Sequence, residues 1–292
     1  MNEIYAVDPA APKDGEELMN LVRLFGPTEG RFLYDFPCEW LNEALARIER
    51  ESEMTKLRAK TFLHRRRRAF VDPERHVPLR GTWSEAACML EPRKGLIGPR
   101  GCPPTAVPID AALYDETTLP DSRAEHVPRT PYGLRTAAQM LFRISPRIVL
   151  VDPYLRLSYL DDGGRRRDDR RFKPVLLELL RAATSEGTEI MEIFVSKRSS
   201  EGESENDFAD RLDRLKTEAG AAALQLQYGV LEEDIADLPG RRQHARYLLG
   251  IGSGLHFDHG FDSTDDGSLN HVHWLSESEL RPLLLLFGLP DF

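Results

Sequence analysis

The segment from Gln243 to Asp262, QHARYLLGIGSGLHFDHGFD, gathers the side chains of this chain best suited to chemistry on phosphorus. His244 and Arg246 are two residues apart, and in a strand such neighbours leave the same face. A neutral imidazole beside a fixed guanidinium suits a phosphate in two ways: as a nucleophile with its electrostatic clamp, or as a plain anion seat. Downstream, Asp258, His259 and Asp262 are read as a hydrogen-bonded or pH-sensitive polar cluster next to His244. Upstream, in RIVLVDPYLRL (Arg147 to Leu157), Asp152 falls just past the carboxyl end of an expected strand, with Tyr154 and Arg156 alternating beyond it. Open α/β sheets offer their ligand groups at that place. Asp152 has a second reading, preferred here: it ties the strand end to a neighbouring loop and orients His244 or Arg246.

Two arginine-dense runs could also meet anions. One is HRRRR, with Arg65, Arg66, Arg67 and Arg68 as candidate contacts to nucleic acid, acidic lipid or a protein; the other is RRRDDRR, from Arg165 to Arg171. Each needs its arginines on one face, and the plain alternative is a solvated surface. The loop PRKGLIGPRGCPPT invites a phosphate-cradle reading, but no Gly-Lys-Ser/Thr ending follows it. Five of the eight histidines lie between His244 and His273, which raises the question of a metal. His256 and His259 are three apart and should face opposite sides of a strand, whereas His271 and His273 could share a face; no committed thiolate or carboxylate partner is evident, and no metal or cofactor is expected. DSTDDG, starting at Asp262, resembles a calcium loop in composition only and reads as a solvated turn.

These groups need a frame. At 292 residues the chain can bury two modest cores, expected as 1–128 and 129–292. With 39 basic against 48 acidic residues the net charge is -9, which argues against a chain that coats nucleic acid through its overall field. The lack of a spanning apolar run or a charged leader predicts a soluble, cytoplasmic protein. Cys38, Cys88 and Cys102 lack zinc or disulfide spacing and read as buried thiols.

In the first half, Glu3–Val7 and Arg31–Phe36 read as strands, Glu16–Phe25 as an amphipathic helix, and Ser52–Val71 as a helix carrying HRRRR. Asp72 to Pro131, rich in proline and glycine, reads as an irregular connection with a short helix near Trp83 to Leu90. Thr130-Pro131 starts a helix with an apolar stripe of Leu134, Ala137, Ala138, Leu141 and Phe142. Strand 147–157, helix 172–183, strand 189–195, helix 205–218 and strand 222–230 then imply parallel crossovers. Segments 244–249 and 255–258 could pair as a hairpin, 271–275 is a further strand, and 277–286 a closing helix. The fold class expected is α/β: a mixed sheet covered by helices in the second half, with a smaller α+β domain before it.

IVLVDPYLRL, the helix-strand intervals, and His244-x-Arg246 followed by Gly260, Phe261 and Asp262 resemble the phospholipase D-like domain at the C-terminus of microtubule-interacting-and-trafficking (MIT) proteins. The resemblance covers Arg129 to Phe292; the first half does not look like the three-helix trafficking module. In the wider superfamily, His-x-Lys-x4-Asp precedes a Gly-Ser-x-Asn segment, histidine attacks phosphorus, and two copies of the motif face each other. Here Arg246 stands for the lysine, Ile251 for the aspartate, and Asp258-His259 for Gly-Ser. The resemblance therefore implies a degenerate site, a pseudoenzyme that binds an anionic, phosphate-bearing ligand or a partner, as a homodimer or a subunit of a larger complex. Without a trafficking module, a prokaryotic defence or mobile-element system is its expected home. The alternative is an active metal-independent phosphodiesterase or nuclease in which His244 from each of two subunits provides nucleophile and acid, Arg246 holds the phosphate, and Asp258 and His259 assist.

Overall fold

The computed structural model describes residues 3–37, 39–72, 82–90, 94–115, 117–119, 121–196, 205–231 and 246–289. The chain divides into two compact units, Met1–Arg123 and Ala124–Phe292.

The first unit is built on strands β1 (Glu3–Val7), β2 (Arg31–Tyr34), β3 (Phe70–Val71), β4 (Gly95–Gly98) and β5 (Val107–Pro108). They pair in the order β3-β2-β1-β4-β5, every pair parallel. This corrects the α+β expectation: a parallel sheet must be covered on both sides, and its strands are accordingly buried almost throughout. On one face Tyr5, Val7, Leu33 and Ile97 pack with Leu18, Leu21 and Val22 of helix α1 (Gly15–Arg23), Trp40 and Ala44 of α2 (Trp40–Arg47), and Ala59 and Leu63 of α3 (Glu53–Arg65). The indole Nε1 of Trp40, fully buried, donates to the Val7 carbonyl at 2.6 Å.

Within the stretch read as an irregular connection lie α4 (Trp83–Ala87), β4, β5, α5 (Ile109–Tyr114) and β6 (Ala124–Pro128). The order reverses between β1 and β4, and the Gly98–Cys102 turn leaves the carboxyl end of β4 there. Arg100 of this turn is bound by both guanidinium nitrogens to the buried carboxylate of Glu17, so the turn is fastened to α1. Hydrogen bonding to Arg100 is the main reason the Glu17 carboxyl is held below its ordinary pKa.

The second unit carries β7 (Arg147–Val151), β10 (Ile190–Ser196), β11 (Gln225–Leu231), β12 (Tyr247–Gly250), β13 (Ser253–Phe257) and β14 (Leu269–Trp274). With β6 they form a seven-stranded sheet, β11-β10-β7-β12-β13-β14-β6. β7, β10 and β11 are mutually parallel, and the remaining pairs are antiparallel, which makes the sheet mixed. The expected hairpin is present, with Tyr247 opposite His256 and Gly250 opposite Ser253. A small hairpin, β8 (Ser158–Leu160) with β9 (Arg166–Asp168), fills the arginine-rich loop after β7. Helices α6 (Pro131–Ile144), α7 (Phe172–Ser185), α8 (Glu205–Glu218) and α9 (Glu277–Leu286) complete the unit.

α6 begins where its sequence dictates. Thr130 Oγ1 accepts from the Gly133 N–H at 3.1 Å, and Pro131 occupies the first turn, where no N–H partner is needed. Thr130→Ala should lower the stability of this unit by about 1 kcal/mol, measured by urea denaturation, with Thr130→Ser close to wild type.

Candidate functional site

β7, β10 and β11 end at the same edge of the second sheet, and the antiparallel β12 starts there, because Tyr247 pairs with Val151. Arg246, one residue before β12, thus arrives beside Asp152, one residue after β7. Asp152 is completely buried. Its Oδ1 accepts from the Tyr154 N–H at 2.9 Å and its Oδ2 from the Phe261 N–H at 3.1 Å. The Arg246 Nε lies 3.6 Å from Oδ1. Three separate stretches of chain therefore converge on one carboxylate. Burial raises the Asp152 pKa, and the Tyr154 N–H, the Arg246 charge and the Phe261 N–H pull the other way.

Arg246 is held on further sides. One terminal nitrogen donates to the Asp258 carbonyl at 3.0 Å, and the guanidinium lies 5.0 Å from the centroid of the Tyr154 ring. Gly260 closes the knot at φ +83, where a Cβ would come within 2.5 Å of Arg246 Cδ and Nε and 2.8 Å of Asp152 Oδ2. Asn270, also fully buried, fixes this turn: its amide nitrogen donates to the Gly260 carbonyl at 2.8 Å and its Oδ1 accepts from the His259 N–H at 3.0 Å.

The expected grouping of Asp258, His259 and Asp262 is not what forms. Asp262 binds Arg129 at 2.6 Å, Asp258 turns toward His256 and His271 at 3.1 and 3.3 Å, and the His259 side chain is exposed. The reason lies in the tight turn at Gly260, which sends the residues on either side of it to different partners. Within DSTDDG, Asp266 Oδ1 accepts from the Thr264 hydroxyl and the Ser268 N–H, which hold its pKa down to about 2. His244 lies outside the described residues.

A second cationic feature adjoins the knot. Asp169, nearly buried, is shared by two arginines: Arg156 Nε at 2.7 Å and Arg171 at 3.5 Å from the same oxygen. Burial alone would raise this carboxyl, but the Arg171 N–H and both guanidinium groups together bring it below its ordinary range. Two positive charges against one carboxylate leave a surplus, on arginine side chains that are 40% and 49% exposed. Chain continuity joins this pair to the Asp152 knot, since Ser263 donates through both N–H and hydroxyl to the Arg171 carbonyl. The sequence reading named Arg156 and the 165–171 run but not Asp169 or Asn270; an acid inside an arginine run and an Asn inside an apolar-alternating strand were the available signals.

In the first unit the HRRRR run does not present one face. α3 stops at Arg65, and Arg67–Ala69 form a 3-10 turn leading into β3, so the helix expected to Val71 is shorter. Arg65 and Arg67 are exposed, whereas Arg66 lies over the Phe62 ring. Arg68 is tucked in, and its burial lowers its pKa to about 10, leaving it charged at neutral pH.

The second unit is thus an α/β domain with a charged knot at the carboxyl ends of its parallel strands. No family model matches the chain, and no curated protein does. Fourteen chains of known structure match. One is TrmBL2, an archaeal chromatin protein described as showing a novel mode of DNA binding, at 13% identity and a TM-score of 0.28 over 62% of this chain. The match covers 56% of that protein, and at this TM-score the superposition is too loose to establish a shared fold. Among the described residues no helix is long and apolar enough to cross a membrane.

Proposed function

We propose that the second unit is a phospholipase D-like domain with a degenerate site, which binds a phosphate-bearing ligand without hydrolysing it. The observation that carries this reading is the commitment of Arg246. Where a phosphotransfer site needs a cation that can follow the phosphoryl oxygens, Arg246 is fastened to the buried Asp152 and to the Asp258 carbonyl, against the Tyr154 ring. Such a guanidinium builds the frame of a site and contributes positive potential at its mouth. The ligand's charge is met by Arg156 and Arg171, whose shared carboxylate leaves them jointly cationic and whose heads reach solvent. The domain works as a homodimer or as a subunit of a larger assembly, and a prokaryotic defence or mobile-element system remains the home we propose for it.

The test is binding of the full-length protein to single- and double-stranded DNA, RNA and vesicles containing acidic lipid, across a salt series, with mass by light scattering on the same samples. Arg156→Glu combined with Arg171→Glu should weaken binding by more than tenfold at low salt and flatten its salt dependence by about two counterions. Arg65→Glu with Arg67→Glu reports separately on the first unit. Phosphodiesterase activity in the wild type that vanishes in His244→Ala would overturn the reading in favour of an enzyme.

A further inference from the structure

Cross-strand register brings four histidines onto one face of the sheet. His256 of β13 stands opposite His273 of β14, and His271 of β14 stands opposite His126 of β6. Their rings form a continuous row, with centroids 4.9 Å apart for His256–His273, 5.6 Å for His273–His271 and 4.9 Å for His271–His126. Asp258, two residues after His256, reaches into the row with both oxygens. The opposite faces of these strands carry Leu255, Phe257, Val272 and Trp274, all buried, while the imidazoles share their face with Tyr247, whose ring lies 5.3 Å from that of His256 and which packs against the core around Leu249.

Two observations point beyond a simple stack of rings. One ligand-capable atom each from His256, Asp258 and His273 lie within 4.8 Å of one another. The Nδ1 atoms of both His256 and His273 are buried and make no hydrogen bond, although His256 Nδ1 is only 3.1 Å from an Asp258 oxygen. A buried ring nitrogen left without a donor or acceptor costs free energy unless something supplies a partner. We propose that His256, His273 and Asp258 bind a transition-metal dication of the Zn2+ class, with His271 placed to add a further donor. Imidazole nitrogens with one carboxylate oxygen are the donor set such an ion prefers, whereas magnesium and calcium require oxygen-rich cages. Glu279 of α9 adds negative potential at the His256 and His273 rings. Entry is open, since the His271 and Asp258 side chains are 37% and 44% exposed.

This site is independent of the anion-binding reading. Full-length, untagged protein stripped with chelator would be titrated with Zn2+ by calorimetry, and with Co2+ while recording its visible absorption. The expected result is one ion per chain, a Co2+ band showing nitrogen and oxygen ligands at low coordination number, and a melting temperature raised by Zn2+ but not by Mg2+. His273→Gln and His256→Gln should each weaken Zn2+ binding by roughly tenfold or more, while His126→Ala, at the far end of the row, should change it little. The wild-type titration alone decides against the proposal if no saturable binding is found. Binding that survives in both glutamine variants, with circular dichroism showing them folded, would equally overturn it.

Discussion

Asp152→Ala should destabilise the second unit by about 3–5 kcal/mol, read by native-state hydrogen exchange of the β7 and β12 amides. The loss has two parts. The Tyr154 and Phe261 N–H groups lose their acceptor, and Arg246 is left beside a cavity in place of a carboxylate. Asp152→Asn keeps the shape and one acceptor but turns an amide NH2 toward one of the two N–H groups, so it should cost less than alanine and more than a surface change. The comparison also has a pH signature. Burial raises the Asp152 pKa in the folded protein, so its stabilising contribution is fully present below the unfolded carboxylate value and falls as pH rises through the folded one. The deficit of Asp152→Asn relative to wild type should therefore be largest in acid and shrink toward neutral pH. A deficit that grows with pH would show that Arg246 and the backbone donors outweigh burial.

Gly260→Ala should cost about 3 kcal/mol in the same measurement, from left-handed strain and overpacking against Arg246 and Asp152 combined. Gly267→Ala separates the two. Gly267 has φ +76 but nothing within 4 Å of an added Cβ, so its substitution carries the backbone strain alone, about 1 kcal/mol. Equal effects at the two glycines would mean that the knot relaxes freely, and the rigid Arg246 on which the binding reading depends would lose its support.

The parts of the fold that could be read in advance are those whose packing repeats along the chain. α6 announced itself by Thr130, Pro131 and an apolar stripe, and the β12–β13 hairpin by two short apolar runs around a glycine turn. β4, only GLIG, is buried on both faces and shows no alternation, while β6, AEHVP, is an edge strand with three exposed positions and a proline. Neither carries a periodic signal; with β4 silent and β3 and β5 only two residues each, the parallel sheet of the first unit shows itself in the sequence through β1 and β2 alone. Propensity extended α3 through HRRRR, but pairing of Phe70 and Val71 with β2 ends the helix earlier. At the site, a carboxylate just past the end of β7 is placed to orient His244 or Arg246, and Asp152 does meet Arg246. The histidine row is legible in part: His271 and His273, two apart, fall on one face of a strand, whereas His256 and His126 join them from two other strands through register.

β6 also bears on how the protein can be dissected. It belongs with the unit that follows it, and its residues from Ala124 to Pro128 supply the last hydrogen-bonded neighbour of β14. A fragment beginning at Arg129, where the sequence alone places the boundary, would strip that neighbour away and bare the peptide groups of β14 from Leu269 to His273. Bared strand edges recruit other chains. Self-association of such a fragment would reflect where it was cut, and would say nothing about the oligomeric state of the whole protein; a fragment beginning a few residues before Ala124 avoids the artefact.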